Sequence, residues 1–182
     1  MKDCLKLENQ LCFPLYVAAK EVIRKYKPYL DEIDLTYTQY ITMMVLWEKK
    51  ELNVKNLGNI LLLDSGTLTP LLRKLETKGY INRVKNENDE RNLVISLTEQ
   101  GEKLKEKVVD IPAKVGCSIK LSDEEAKMLY DLLYKVYDLI YQFYGLLGDE
   151  IKRKETIEIR NKLSNMIMKE LDDIRNNKKW FH

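Results

Sequence analysis

Apolar residues recur every three or four positions along most of the chain, a period that predicts amphipathic helices. With the glycine, proline and polar breaks taken into account, the pattern predicts helices over residues 8–31, 37–49, 54–62, 65–78, 99–116, 122–147 and 149–178. Pro14 and Pro28 are expected to kink or bound the first helix, and Pro112 to break or kink the fifth, because proline lacks an N–H and clashes with the preceding turn. The pattern therefore predicts a mainly α-helical fold.

One stretch follows a different pattern. Residues 80–85 and 91–97 are rich in β-branched and aromatic side chains, and a polar segment separates them, which predicts a β-hairpin. The helix before it has Asp64 or Ser65 to cap its start and Gly79 to end it. This order of elements predicts a winged helix-turn-helix with a small β wing: a helix, a short helix, a capped helix and a hairpin.

In such a module the second helix of the pair enters the major groove of DNA. The leucines of 65–78 form its buried stripe, and its polar and basic residues suit phosphates and base edges. The candidate DNA-binding residues on this helix are Ser65, Thr67, Thr69, Arg73 and Lys74. On the wing, Arg91 is the candidate inserted cation, and Asp89 is expected to orient it through a carboxylate–guanidinium pair. The alternative is a small α+β domain whose hairpin only covers a core.

Composition restricts the class of protein. Of the 182 residues, 45% are hydrophobic and 33% are charged, as in soluble globular proteins. No apolar run is long enough to span a membrane, and the N-terminus lacks the order of a signal peptide. We therefore expect a cytoplasmic protein with reduced thiols and no membrane partner. Since the only histidine is His182, His-dependent triads and His-rich metal sites are nearly excluded, and no metal or cofactor is expected.

The net charge of +2 is a weak argument for nucleic acid. Residues 149–182 carry nine basic and seven acidic side chains, which accounts for the whole excess, so 1–148 is neutral. Because phosphate binding depends on basic side chains, the bases of 65–91 must lie together on one face if DNA binds. A dimer would present two such faces.

The three cysteines differ in their surroundings. Cys12 lies in an apolar helical start with Tyr16 one turn on. It is either an inert buried thiol or a reactive one whose thiolate is favoured by hydrogen-bond donors such as phenols. Cys4 lies near the chain end and is expected to be incidental, whereas Cys117 lies near a helix break where exposure is expected. Their spacing is not that of a zinc site.

The tyrosines of the sixth helix recur at alternating four- and three-residue steps from Tyr130 to Tyr144, a spacing typical of packing seams. They are expected to pack rather than to bind a ligand. The terminal helices have wider apolar stripes than a body of this size can bury. They therefore predict a helical interface in a two-fold homodimer, which suits a pseudo-palindromic operator in double-stranded DNA.

Several segments carry a resemblance to a known family. They are LENQLCFPLY, KYKPYLDEIDLTYTQY, LDSGTLTPLLRKLETKGYI, NDERNLVISLTEQG and VDIPAKVGC. Over about residues 6–145 they resemble the MarR-type winged-helix regulators and, more narrowly, the organic-hydroperoxide-resistance repressors. The resemblance implies a dimerisation and sensor region at 1–36 and 99–147, a winged helix-turn-helix at 37–98, and a C-terminal helical extension at 148–182 outside the resemblance.

The resemblance also implies a mechanism. In this family an organic hydroperoxide oxidises the N-terminal cysteine to sulfenic acid, and the homodimeric repressor leaves its operator. Cys12 matches that sensor, Tyr26 and Tyr37 match tyrosines that reach the thiol from the other subunit, and Tyr16 matches a further pocket tyrosine. Cys117 matches the partner cysteine of members that form an intersubunit disulfide. Pro14 departs from the family pattern, because a plain helix former is more usual there.

Two other functions remain open at this point. The first is a MarR-type repressor that releases DNA when an aromatic or phenolic ligand binds without covalent chemistry, with Cys12 structural. The second is a thiol peroxidase, although the chain lacks a nearby Arg/Thr-type motif that activates peroxide. The resemblance favours a regulator and not an enzyme.

Overall fold

The computed structural model describes residues 3–86 and 89–145, and it describes the side chains of 3–84 and 93–140. After two 3-10 turns, the elements in chain order are α1 (Cys12–Asp31), α2 (Tyr37–Lys49), β1 (Glu51–Asn53), α3 (Val54–Leu61), α4 (Ser65–Thr77), β2 (Ile81–Asn86), β3 (Asp89–Leu97), α5 (Glu99–Val108), α6 (Ile111–Ile119) and α7 (Asp123–Gly145). The helix predicted for 149–178 lies outside the described residues. The chain divides into two compact units between Val115 and Gly116.

Most predicted elements are confirmed, and the prolines explain the differences. α1 begins at Cys12, so Pro14 lies in its first turn, where the missing N–H costs little. Pro28 does not end α1, which continues to Asp31. The helix predicted for 99–116 is two helices, because α5 ends at Val108 and α6 has Pro112 in its first turn.

The predicted hairpin forms a three-stranded antiparallel sheet with a strand that sequence reasoning missed. The strand order is β1-β3-β2, and β1 pairs Leu52 with Ile95 while β2 pairs Val84 with Val94. β1 has three residues, too few to show an alternating pattern. β3 is the middle strand of the sheet. Its C-terminal half, at the base of the wing, therefore pairs with a strand on each side.

A leucine-rich core lies under the sheet and the helices of the first unit. Leu57 of α3, Leu72 and Leu75 of α4, and Ile95 of β3 are all at most 1% exposed. Burying each such side chain stabilises the fold by about 1.5–3 kcal/mol. Since α3, α4 and β3 share this core, the predicted reading helix and the wing are held to one body.

The turn between α3 and α4 requires two special residues. Leu62 ends α3 with a φ of +56°, the left-handed conformation. A Cβ on Gly58 would lie 2.9 Å from the carbonyl oxygen of Leu63, so only glycine lets the chain turn this closely. Asn53 and Asp64 cap the starts of α3 and α4 through their side chains.

The start of α5 is fastened to the core by hydrogen bonds. The indole Nε1 of Trp47 donates to the buried carbonyl of Gly101 at 2.8 Å, and the Gly101 amide donates to Thr98 Oγ1 at 3.0 Å. The Thr98 hydroxyl in turn donates to the carbonyl of Gly79 at 2.6 Å. These bonds connect α2, the end of α4 and the base of the wing.

The terminal helices expose apolar faces. Leu30 is the single buried residue of α1, whereas Leu11, Phe13, Val17 and Ile23 are exposed. In α2, Met44 is 38% exposed, whereas Leu46 is buried. The exposed face of α1 fits the predicted dimer interface.

We expect Gly101→Ala to lower the free energy of unfolding by about 1–3 kcal/mol, because an added Cβ would overlap the carbonyl oxygen of Tyr80. Gly116→Ala is the matched control, since a Cβ there meets nothing within 4 Å, and it should raise stability by about 0.5–1 kcal/mol. Urea unfolding measures both. Equal effects of the two substitutions would contradict the close approach of α5 to Tyr80.

Candidate nucleic-acid interface and thiol site

Helix α4 divides sharply into a buried and an exposed face. Leu68, Leu71, Leu72 and Leu75 are buried. The opposite face, at steps of four, three and four residues, is exposed and consists of Gly66, Pro70, Arg73 and Thr77. Ser65, Thr67 and Lys74 are also exposed, and Thr69 is half-buried. This helix therefore presents hydroxyl and basic groups to the outside of the core that holds it.

The first turn of α4 is organised by Asp64. Its carboxylate accepts hydrogen bonds from the Thr67 amide at 2.9 Å and from the Thr67 hydroxyl at 3.0 Å. These donors hold the pKa of Asp64 below its usual value, with the backbone amide as the main cause. The Thr67 hydroxyl therefore has a partner before any nucleic acid approaches.

Two ion pairs fasten α4 to its neighbours. Glu76 accepts from Arg83 Nε of β2 at 2.7 Å, and Arg83 is largely covered. Lys78, just past α4, donates to the carboxylate and the carbonyl of Asp34 in the turn between α1 and α2. Helix α4 is thus tied on one side to the wing and on the other to the turn that follows α1.

The predicted wing cation lies at the start of β3. Asp89 opens β3 and Arg91 follows in the same strand. The side chains of both residues lie outside the described part of the structure, so their pairing and their role at DNA stay predictions.

Tyrosines from α1 and α2 form an aromatic cluster. The ring centroids of Tyr26 and Tyr37 are 5.1 Å apart in an edge-on arrangement, and Tyr40 lies 5.8 Å from Tyr26. Tyr40 also lies 6.4 Å from Trp47, whose indole bonds to Gly101. Sequence reasoning selected Tyr26 and Tyr37 but missed Tyr40 and Trp47, whose signal was their spacing of seven residues on one face of α2.

Burial governs the ionisation of this cluster. Burial raises the pKa of Tyr26, and the neighbouring Tyr37 raises it further. Burial also raises the pKa of Tyr37. Because a phenol ionises near pH 10 even when exposed, both hydroxyls stay protonated near neutral pH and can donate hydrogen bonds.

Cys12 is an exposed free thiol at the first position of α1. Tyr16 lies one turn along the same helix and is 64% exposed. Tyr26 is on that helix as well, but fourteen residues at 1.5 Å each separate it from Cys12 by about 21 Å. A tyrosine side chain cannot cross that distance, so one chain does not bring its own thiol to the Tyr26–Tyr37 cluster.

The remaining cysteines are also exposed and free. Cys4 lies in the first 3-10 turn, and Cys117 lies on α6 beside Gly116. The prediction that Cys117 is exposed is confirmed. Within the described residues, no group of three His, Cys, Asp or Glu side chains is placed to hold a metal ion.

Comparisons with known proteins agree with this architecture. The family model for the transcriptional regulator SarA/Rot matches residues 24–108. The chain is 51% identical over 132 residues to the organic hydroperoxide resistance transcriptional regulator of Bacillus subtilis, a match that covers 72% of this chain and 90% of that protein. It is 53% identical over 120 residues to the HTH-type transcriptional regulator SarZ of Staphylococcus aureus, covering 66% of this chain and 81% of SarZ.

A solved structure is similar as well. Reduced AbfR of Staphylococcus epidermidis, bound to DNA, has a TM-score of 0.62 and 32% sequence identity, over 80% of this chain and 97% of AbfR. The chain belongs to the MarR-type winged-helix transcriptional regulators. It is a DNA-binding regulator of transcription and not an enzyme. Among the described helices of this regulator, none combines the length and the apolar character that crossing a membrane requires.

In this regulator the exposed face of α4 is wider than sequence reasoning proposed. Gly66, Pro70 and Thr77 lie on it beside Arg73. Pro70 has no N–H to donate to the Gly66 carbonyl one turn earlier, and Thr77 donates its hydroxyl to the Arg73 carbonyl at 2.9 Å. These positions follow one another at steps of four, three and four residues, and this spacing was the sequence signal that could have identified them.

The capping role of Asp64 predicts a pH dependence. Because its pKa is lowered in the folded state, its contribution to stability is present above the unfolded value, near 3.8, and is lost as the pH falls through the folded value. We therefore expect wild type to exceed Asp64→Ala in stability at neutral pH and the difference to shrink below about pH 4. Thermal unfolding at several pH values measures it. A difference independent of pH would contradict the capping role of the carboxylate.

Proposed function

We propose that this regulator is a redox-sensing repressor that binds a pseudo-palindromic operator as a homodimer and releases it when an organic hydroperoxide oxidises Cys12. The observation that carries the proposal is the distance of about 21 Å between Cys12 and Tyr26 along α1. The phenols of Tyr26 and Tyr37 can act on the thiol of Cys12 only if they come from a different subunit. The exposed apolar face of α1 supports such an interface.

The proposed binding of DNA rests on where the basic side chains lie and not on the net charge of the protein, which is only +2. Ser65, Thr67, Thr69, Arg73 and Lys74 of α4 are proposed to contact the major groove. The wing residue Arg91, oriented by Asp89, is proposed to contact the flanking groove. Two copies related by a two-fold axis would place two such reading helices on half-sites of one operator. The match to a DNA-bound regulator over most of the chain supports this arrangement.

The proposed chemistry begins at the sulfur of Cys12. The thiolate attacks one oxygen of the hydroperoxide, the O–O bond breaks, and the other oxygen leaves as the alcohol after taking up a proton. Cys12 is thereby oxidised to sulfenic acid and the hydroperoxide is reduced. Donor hydroxyls of Tyr16, Tyr26 and Tyr37 favour the thiolate, and their apolar rings suit an organic rather than an inorganic peroxide.

A second step makes the signal durable. The thiol of Cys117 from the other subunit attacks the sulfenic sulfur, which forms a disulfide and releases water. The exposure of Cys117 on α6 supports its availability. The pairing of Cys12 with Cys117 of the other subunit is the one that the family resemblance implies.

The fold offers a route from the thiol site to the reading helix. Tyr26 contacts Tyr40, Tyr40 contacts Trp47, and Trp47 bonds to the start of α5 beside the wing base. Rigid packing of this kind passes a shift on rather than absorbing it. A change in the spacing of the two reading helices lowers affinity, because the two half-sites of a duplex have a fixed separation.

For DNA binding we expect Arg73→Gln to weaken operator affinity by about tenfold or more and to reduce the slope of affinity against salt. The control is Lys105→Gln, which removes the same charge from an exposed position on α5 and should leave affinity unchanged. Fluorescence anisotropy with a duplex selected from random sequence measures both. Equal losses in the two variants would mean that only net charge matters and that α4 does not read DNA.

For sensing we expect cumene hydroperoxide to release wild-type protein from this duplex and Cys12→Ser to stay bound. Cys4→Ser is the matched control and should still release. Cys117→Ser should still sense but give a different oxidised product, because the partner thiol is missing. Gel-shift titration with mass measurement of the treated protein tests all four proteins.

Three results would overturn the sensing proposal. They are unchanged binding by peroxide-treated wild type, full release by Cys12→Ser, and release of fully reduced protein by a phenolic compound without peroxide. The last result would assign the regulator to the class that responds to a non-covalent aromatic ligand. Catalytic turnover of hydroperoxide with a thiol donor would instead indicate a thiol peroxidase activity.

A further inference from the structure

Helix α7 has apolar side chains on two different faces. An aliphatic face, defined by Met128, Leu132, Val136 and Leu139, is exposed, with between 36% and 64% of each side chain accessible to solvent. A tyrosine face, defined by Tyr130, Tyr134 and Tyr137, lies on the opposite side of the helix, roughly half a turn away, and is half-buried. One neighbouring helix covers a single stripe, so α7 requires two neighbours.

The tyrosine face has the character of a contact surface. Its rings pack in sequence, with centroids 4.5 Å apart for Tyr130 and Tyr134 and 6.2 Å apart for Tyr134 and Tyr137. The hydroxyl of Tyr130 is shielded from solvent and has no hydrogen-bond partner among the described residues. A shielded hydroxyl without a partner is costly, so we expect another segment of polypeptide to provide one.

We infer that residues 149–182 of the same chain fold back and pack antiparallel along the tyrosine face. The segment carries Ile159, Leu163, Ile167, Leu171 and Ile174 at three- and four-residue steps, a pattern that predicts an amphipathic helix. It follows the end of α7 directly, and Gly145 and Gly148 favour a reversal of the chain.

Length and charge specify the direction of packing. α7 has 23 residues and is about 34 Å long, which a segment of 34 residues can retrace. A reversal near Gly148 places about residue 175 beside the first turn of α7, where Asp123, Glu124 and Glu125 lie. The segment has Arg175, Lys178 and Lys179 there, after Asp172 and Asp173, so the antiparallel arrangement brings the bases near the chain end to the acidic first turn of α7.

This packing leaves the aliphatic face for a second copy of the chain. That assignment rests on the proposed homodimer. The two faces then have different occupants, one from the same chain and one from its partner. The packing on the tyrosine face itself does not depend on DNA binding or on peroxide sensing.

The first test uses the full native chain. Dimers are assembled from a mixture of unlabelled and nitrogen-15-labelled protein, treated with a carbodiimide, and digested for mass spectrometry. We expect bonds that join Asp123 or Glu124 to Lys178 or Lys179, with both peptides carrying the same label. Cross-links that join differently labelled peptides would assign the extension to the partner subunit. Either that result or an absence of such cross-links would overturn the inference.

The second test separates apolar packing from charge. Leu163→Asp places a carboxylate in the apolar stripe, and Lys162→Asp is the matched control outside it. We expect Leu163→Asp to speed hydrogen exchange of the α7 peptide around Tyr130–Tyr137 at least tenfold while the molecular mass in solution stays that of wild type. Lys162→Asp should leave this exchange within twofold. Unchanged exchange in Leu163→Asp, or a loss of the dimer, would overturn the inference.

Discussion

The stiffness of α1 is the constraint on which the thiol site depends. This unbroken helix has Cys12 at its first position and Tyr26 about 21 Å further along. An α-helix cannot shorten without losing backbone hydrogen bonds, so the two groups of one chain stay apart. Any cooperation between the Cys12 thiol and the Tyr26–Tyr37 cluster therefore requires an interface between subunits. In the proposed dimer, oxidation of the thiol acts directly on the contact between subunits.

In the winged-helix unit, three contacts join the helices to one another and to the wing. Trp47 bonds to Gly101, Thr98 bonds to Gly79, and Arg83 pairs with Glu76, so α2, α4, α5 and the wing share their anchors. A net hydrogen bond contributes only about 0.5–1.5 kcal/mol, but a buried group left unpaired costs about 1–3 kcal/mol. Breaking one of these bonds therefore costs more than forming it contributes, and the network joins α2 to α4 through the start of α5.

Local signals predicted much of the fold. The bounds of α2 agree with its apolar period, Asp64 caps α4, and Ser122 and Glu125 form a capping box with both of its hydrogen bonds at the start of α7. Such signals act within a few residues, so sequence alone contains them. Strand β1 escaped prediction because it exists only through pairing with the distant β3. The exposure of Met44 likewise depends on which elements pack beside α2.

For the functional sites, the sequence by itself determined which residues carry the chemistry: a thiol at a helix start, phenols on two helices, and hydroxyl and basic groups on a capped helix. Residue type and helical period suffice for this, because both are properties of short segments. Only the tertiary structure decided that Tyr26, Tyr37 and Tyr40 form one partly buried cluster, in which burial raises the pKa of Tyr26 and of Tyr37. It also decided that strand β1 pairs with β3. Both outcomes depend on contacts between segments remote in sequence, which no local pattern records.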